Sequence, residues 1–402
     1  MRLFFFLLIF LSLYAGLHVY GFLKARSALS LGPMTAIPLA IFMAIMVFAP
    51  VMVHLVEKFG LDSLARLVAH IGYTWMGLLF LFFSASLMTD FYRLLIYLGE
   101  LIVQRGFSTL SLSTQYLFFI SLLLSLVITT YGFFEANNIR TEHVTIRTPK
   151  ISAEVGRVKI VQISDIHIGL IVGEGRLKRI LKKVHAANPD ILVSTGDLID
   201  GQIDNLLGIA AMLRQITPRY GKFAITGNHE FYAGLDRALD FTEKAGFTVL
   251  RGEGLTVPGV INIAGVDDPA GQSQGLHKGV AEEELLSRLP REKFTILLKH
   301  RPQVDKNAAG LFDLQLSGHV HKGQIFPFTL ITKLYYPHIQ GLYDLRDKAH
   351  LYVSRGSGTW GPPIRFLSPP EVTVIELVHK LGAHSQEKGH QPKIDKEAQD
   401  IV

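Results

Sequence analysis

The hydrophobic pattern changes character near residue 140. Before it, apolar residues run together in four stretches, 3–23, 35–56, 71–88 and 116–134. A bilayer takes about 20 such residues to cross. Four runs almost without charge in so short a segment predict transmembrane helices rather than buried soluble ones. Pro38 and Pro50 predict kinks in the second run. After the third run, the amphipathic stretch FYRLLIYLGELIV carries Arg93 and Glu100. It predicts either a helix lying along the interface or an extension of the third helix.

Beyond about residue 157 short apolar runs alternate with helical periodicity. VKIVQIS, ILVST, KFAIT, VINIAGV, FTILLKH and LQLSGH predict strands at 158–164, 191–195, 222–226, 260–266, 294–300 and 314–319. Segments 174–187, 206–216, 235–246 and 281–289 predict helices, the first ended by Asn188-Pro189 and the third closed by Gly246. Strands alternating with helices imply an α/β layered fold, with ligands beyond the carboxyl ends of the strands.

Those strand ends carry the polar chemistry. Asp165 and His167 follow the first strand, Asp197 and Asp200 the second, and Asn228 and His229 the third. His300 follows FTILL, and the close pair His319 and His321 follows LQLS. Taken singly, each is an ordinary turn or cap. Five strand ends in register make a polar cage. Gly196, Gly227 and Gly318 let the backbone turn sharply and approach it.

Composition narrows the chemistry. Residues 1–140 hold eight Lys or Arg and five acids, and the whole chain is 49% hydrophobic, so the apolar excess belongs to the first part. There is no cysteine, which excludes disulfides, zinc–thiolate sites and thiol catalysis. The net charge of +6 suits anionic lipid headgroups, and no nucleic-acid partner is expected. The first run is followed by LKARSA, a basic flank without a small-residue cleavage site, so a retained helix is expected rather than a cleaved signal. With four spans both termini share a side. Arg2, Lys58, Arg66, Arg140, Arg147, Lys150, Arg157 and Lys159 fall there, against Lys24, Arg26, Arg93 and Arg105 opposite. The bias points to a plasma (inner) membrane protein with a cytoplasmic soluble domain. No run carries a charge that would mark a transport path; His18 and His54 read as interfacial residues.

Carboxylates, an amide and imidazoles suit Mn²⁺ best, with Fe or Zn²⁺ as alternatives, rather than Ca²⁺. The ligands are too many for one ion. Two ions about 3.5–4 Å apart, sharing a carboxylate, polarise a phosphoryl group and make hydroxide near neutral pH. A histidine oriented by a carboxylate can protonate the leaving oxygen. His229 and Asp200 offer such a pair.

The pattern DIH…GDLID…GNHE…KH…GHVH resembles the calcineurin-like metallophosphoesterase superfamily, and is most similar to its membrane-associated, YkuE-like phosphodiesterase branch. GHVHKGQ, LYVSRGSGTWGPPIRF and PPEVTVIEL carry the branch. The resemblance implies a four-layer αββα sandwich with a dinuclear centre. Asp165, His167 and His321 would bind the first metal, and Asn228, His300 and His319 the second. Asp197 would bridge, and His229, oriented by Asp200, would be the acid or charge stabiliser. The arginines that protein phosphatases of the superfamily carry beside these motifs are replaced by Gly201 and Thr226, which argues against that activity. Lys322, Arg355 and Arg365 are candidates for substrate phosphate; Asp267 and Asp268 read as loop-structuring.

The expected organisation is a four-helix transmembrane domain over 1–140, a catalytic domain over 150–380 and a polar tail, expected to be disordered, over 381–402. The expected function is a membrane-anchored, metal-dependent phosphoesterase acting on phosphodiester or pyrophosphate bonds, lipid-linked ones among them. A second reading makes the chain a membrane sensor or scaffold that uses a phosphoesterase-like domain for binding. Loss of cage residues would mark it, and none is lost.

Overall fold

The computed structural model describes residues 2–380 except 105, 107–109, 202–205 and 346–347. The expected tail at 381–402 and the charge at Arg105 lie outside the described residues.

The apolar runs form helices α1 (Arg2–Leu29), α2 (Pro33–Val47), α3 (Ala49–Lys58), α4 (Asp62–Val103) and α5 (Thr114–Asn137). Three of them are long and apolar enough to cross a membrane. The second run is bent by 53° between α2 and α3, and counts as a fourth span if the pair is one. Pro50 lies in the first turn of α3, where a missing N–H costs nothing; Pro38 sits inside α2. The amphipathic stretch after residue 90 extends α4 to 42 residues. His18 packs inside the helices rather than facing outward. It is buried in the bundle, its Nδ1 2.8 Å from Tyr14 O and its Nε2 accepting from Trp75 Nε1 at 2.9 Å.

Two residues after α5, the chain enters β1 (Arg140–Thr148), ahead of the expected domain start at 150. Next come β2 (Arg157–Ile163), α6 (Glu174–Ala187), β3 (Ile191–Ser194), α7 (Leu206–Arg214), β4 (Lys222–Ala224) and α8 (Asn228–Tyr232). Then follow α9 (Leu235–Lys244), β5 (Thr248–Val249), β6 (Glu253–Val257), β7 (Ile261–Gly265), α10 (Glu282–Ser287), β8 (Phe294–Leu298) and β9 (Leu314–Ser317). The described chain closes with α11 (Phe328–Tyr335), β10 (Gly341–Asp344), β11 (His350–Val353) and β12 (Glu371–His379).

The strands make two six-stranded sheets, ordered β1-β12-β2-β3-β4-β5 and β10-β11-β9-β8-β7-β6. Alternation along the strands separates the layers. Val161 and Ile163 of β2 face α6, α7 and α9, whereas Val158 and Ile160 face the second sheet. Ile296 and Leu298 of β8 face the first sheet, and Leu297 meets Leu285 and Leu286 of α10 on the far side. The result is helix, sheet, sheet, helix. β2, β3 and β4 pair in parallel, as do β8 and β9, so their carboxyl ends share one edge of the sandwich.

Candidate metal centre

The loops leaving that edge are laced together by backbone bonds. Asp165 N donates to Gly196 O and His167 N to Asp197 O, each at 3.0 Å. Gly318 N donates to His300 O at 2.9 Å. Two side chains cross between the sheets: Gln162 Nε2 donates to Ser317 O at 3.1 Å, and His300 Nδ1 lies 2.7 Å from Thr195 O. The turns are tight enough to hold Asp165, His167, Asp197, His319 and His321 at φ between 46° and 70°. This left-handed backbone is uncommon outside glycine and costs of order 1–3 kcal/mol per residue. At Gly227 and Gly318 a Cβ would run into the carboxylates of Asp197 and Asp165. The backbone can come that close only without a side chain.

The cage residues meet as two groups joined by one carboxylate. His321 Nε2 lies 3.3 Å from Asp165 Oδ1 and 3.1 Å from His167 Nε2. His300 Nε2 lies 3.2 Å from Asp197 Oδ2 and 3.2 Å from His319 Nδ1. Asp197 Oδ2 is also 3.8 Å from His167 Nε2. Asn228 Oδ1 is buried without a hydrogen-bond partner. Ligand atoms of Asp165, His167 and His321, and of Asp197, His300 and His319, fall within 4.8 Å of one another in each group. His229 reaches the same spot, with His167 and Asp197. Its Nδ1 stands 2.5 Å from Asp200 Oδ1.

Imidazole nitrogens that converge in pairs near 3 Å, beside buried carboxylates and an orphaned amide oxygen, form a donor set that fits divalent cations. The electrostatics agree except at His300, where burial is outweighed by Asp197 and the pKa is raised to about 10. Burial opposes ionisation of Asp165, Asp197 and Asp200, yet the neighbouring histidines hold all three below the usual carboxylate range. Burial would lower His229 too, but Asp197 and Asp200 outweigh it and raise it to about 9. Burial, then the charge on His300, pushes His319 down to about 3. Burial pushes His321 down to about 4 despite Asp165, with Arg365 adding to the effect. Neutral imidazoles of this kind are the form that ligates a cation.

Residues 158–323 match the model of the calcineurin-like phosphoesterase family. An uncharacterized metallophosphoesterase of Aquifex aeolicus (strain VF5) is 39% identical over 259 residues, which cover 64% of this chain and 98% of that protein. The chain is a calcineurin-like metallophosphoesterase. The metallophosphoesterase YkuE of Bacillus subtilis (strain 168) is 35% identical over 264 residues, 61% of this chain and 89% of that one. A Danio rerio protein named as a transmembrane protein with a metallophosphoesterase domain is 33% identical over 270 residues, 64% of this chain and 62% of that one. Membership of this family implies that the cage binds divalent metal.

Two expected substrate contacts of this metallophosphoesterase, Arg355 and Arg365, are taken up by the protein itself. Arg365 is fully buried behind His321; its N–H groups donate to Gly358 O, Arg355 O and Ser368 O. Arg355 pairs with Glu142, and with Glu371 at 2.6 Å. Lys322 is half-exposed; burial and then Arg355 lower its pKa. Both arginine side chains belong to the support beneath the cage. Asp267 and Asp268 are loop-structuring, as their sequence context suggests. Asp267 accepts from Nε and Nη2 of Arg251, and Asp268 from Nε and Nη2 of Arg301.

Two residues were missed. Glu230 is buried and accepts the N–H groups of Asp197, Leu198 and Gly227 at 2.9, 2.7 and 2.6 Å, which ties the second and third loops together. Its signal was its place in GNHE, three residues after Gly227. Arg301 follows His300 in KHRP and is close enough for its charge to act on His319, Tyr232 and Tyr336. The exposed rings of Tyr232 and Trp360 stand 5.5 and 6.0 Å from the His229 ring at the mouth.

Proposed function

We propose that the chain is a membrane-anchored phosphoesterase with two divalent cations, Mn²⁺ suiting the nitrogen and oxygen donors best, that hydrolyses phosphodiester or pyrophosphate bonds, including lipid-linked ones. The observation that carries this reading is Asp197, a buried carboxylate within reach of both histidine groups. In this assignment Asp165, His167 and His321 hold one cation, Asn228, His300 and His319 the other, and Asp197 is shared. When bound, the cations supply Lewis acidity toward the phosphoryl oxygens and acidify the attacking water.

The remaining work falls to the chain's own groups. His300 donates Nδ1–H to Thr195 O, which fixes its ring and leaves Nε2 as the ligand atom. His229 keeps its Nδ1 on Asp200, so the proton it can deliver to a leaving oxygen sits on Nε2. Asp200 is a positioning residue for that ring. Arg301, held by Asp268 but with its side chain still 26% exposed, supplies positive charge on the His319 side, where substrate phosphate would lie. The positive-inside bias supports a cytoplasmic face of the plasma (inner) membrane for this domain. The organisation we assign is a transmembrane part through α5 and a catalytic part from β1 onward.

The test is turnover of bis-p-nitrophenyl phosphate, and of a panel of lipid and nucleotide phosphoesters, by the full chain in nanodiscs with Mn²⁺. His229→Ala is expected to keep its metal and lose about 10²–10⁴-fold in kcat, the usual share of acid–base catalysis. Metal-loaded, folded protein without turnover on any member of the panel would refute the reading.

A further inference from the structure

Helix α11 is amphipathic with its apolar side outward. Thr329, Thr332 and Tyr336, spaced as one helical face, are half-buried, and Thr329 Oγ1 donates to Lys322 O at 2.8 Å. Phe328, Leu330, Ile331, Leu334 and Tyr335 face out; Leu334 is 84% exposed and Tyr335 76%. No side chain of the helix is buried. In water this arrangement would leave a contiguous apolar patch uncovered, and such patches mark an interface.

The packing at the start of α11 shows what covers it. Its first ring, Phe328, lies 6.1 Å from Phe80 of α4. Just before it, Ile325 packs with Ile364 and Phe366 against Leu81, Phe80 and Ile128 of the transmembrane helices. The apolar run of α4 begins at residue 71. At about 1.5 Å per residue, Phe80 lies about 13 Å along it, at the depth of acyl chains. An outward apolar face joined to the bundle at that depth continues its lipid-facing belt. Exposed Lys333 and Tyr335 on the last turn are the residue types that snorkel and sit at headgroup level.

We propose that α11 is a membrane-inserted interfacial helix, its apolar face lying in the leaflet next to the catalytic domain, and that it holds the mouth of the metal centre at that lipid surface. The helix is coupled closely to the cage. It begins a few residues after His321, Gly323 abuts Thr329, and the Tyr336 ring at its end stands 5.5 Å from that of His319. The substrate class that fits is a phosphoester resident in that leaflet, presented headgroup-first. This substrate half rests on the phosphoesterase reading above; insertion of the helix does not.

The chain has no cysteine, so single spin labels report cleanly. Leu330→Cys and Leu334→Cys are compared with Glu292→Cys, an exposed site before β8 at the opposite end of that strand from the cage. All are labelled in the full chain in phosphatidylethanolamine–phosphatidylglycerol nanodiscs. Labels at 330 and 334 are expected to relax more with oxygen than with a water-soluble nickel chelate, and the label at 292 the reverse. Nickel accessibility at 334 equal to that at 292 would overturn insertion. So would shielding from both reagents, which would put protein on this face. In parallel, the double variant L330E/L334E is expected to lose about tenfold or more in turnover of vesicle-borne phosphatidyl-p-nitrophenol while turning over soluble bis-p-nitrophenyl phosphate as the parent does. Equal turnover of the vesicle-borne diester would overturn the substrate half. Failure of the parent on both diesters would instead count against the phosphoesterase reading, with the spin labels still deciding insertion.

Discussion

Glu230 has the most consequential single contact set outside the cage. Its carboxylate accepts four backbone N–H groups from two loops, and those loops carry Asp197, Asn228 and His229. Glu230→Gln keeps the shape but turns an amide N–H₂ toward donors. Leaving a buried group unsatisfied costs about 1–3 kcal/mol, so a melting temperature lowered by several degrees, with lower metal content by elemental analysis, is expected. Asp200→Asn acts differently. It removes the charge that, with Asp197, holds His229 up, and the acceptor 2.5 Å from its Nδ1. Groups that orient an active imidazole are typically worth about 10- to 100-fold. A kcat loss of that size, with metal content and KM near those of the parent, is the expected outcome; an unchanged kcat would remove Asp200 from the mechanism. At this scale the identity of the cage was open to sequence reading, because each ligand type stands next to a strand end. The supporting charges were not. Arg355 and Arg365 look like phosphate ligands in a Gly-rich loop, and only burial shows Arg365 behind His321 and Arg355 on Glu142 and Glu371.

At this edge the cage loops bring residues of both sheets together. Asp165, Asp197 and Asn228 come from the first sheet, after β2, β3 and β4; His300 and His319 come from the second, after β8 and β9. A cation held by both sets ties the sheets together, so removing metal is expected to reach beyond the ligands. Any ligand binding only the folded state adds RT ln(1 + [L]/Kd), about 2.7 kcal/mol at a hundredfold excess over Kd. Chelation should therefore lower the melting temperature and speed amide exchange in 227–232 and 318–323 together, and added Mn²⁺ should restore both. Exchange rising in one segment alone would mean that the two sets do not share a metal unit. The strands bearing these loops were legible because they are central and largely apolar, and β3, β4 and β9 are closely followed by glycine. β1 was not: its sequence RTEHVTIRT belongs to an edge strand and reads as a basic linker. α11 escaped for a related reason. Eight residues with an outward apolar face match no water-soluble helix pattern, since the solvent on that side is not water.

At the scale of the whole molecule, the catalytic domain is packed against the bundle rather than tethered to it. Arg365 N donates to Gly132 O of α5 at 3.0 Å, although that carbonyl lies inside a helix. Glu57 and Arg66, on either side of the α3–α4 turn, approach Gly201 and Gly173 beside the cage loops. Between these points Gly77 of α4 receives Ile364 and Pro362. A Cβ at Gly77 would lie 2.8 Å from Ile364 Cδ1, closer than real side chains approach, and a tight 3.2 Å from Pro362 Cβ. Glycine at this position therefore serves close approach between the two parts, as small residues do where membrane helices pack. Gly77→Leu would drive a side chain into the seat of the 360–366 loop, the same loop that buries Arg365 behind His321 and sets Trp360 beside His229. Overpacking of this kind costs about 1–3 kcal/mol, and here it is relieved most easily by parting the loop from α4. Two consequences are expected in membranes or nanodiscs: faster cleavage of 360–366 by added protease, and lower turnover, while the bundle inserts as before. Gly77→Ala should show both effects in smaller measure, because one methyl can be absorbed by a shift of Ile364. If Gly77→Leu left proteolysis and turnover untouched, the domain would be riding free of α4, and the placement of the cage at the membrane surface would have to come from α11 alone.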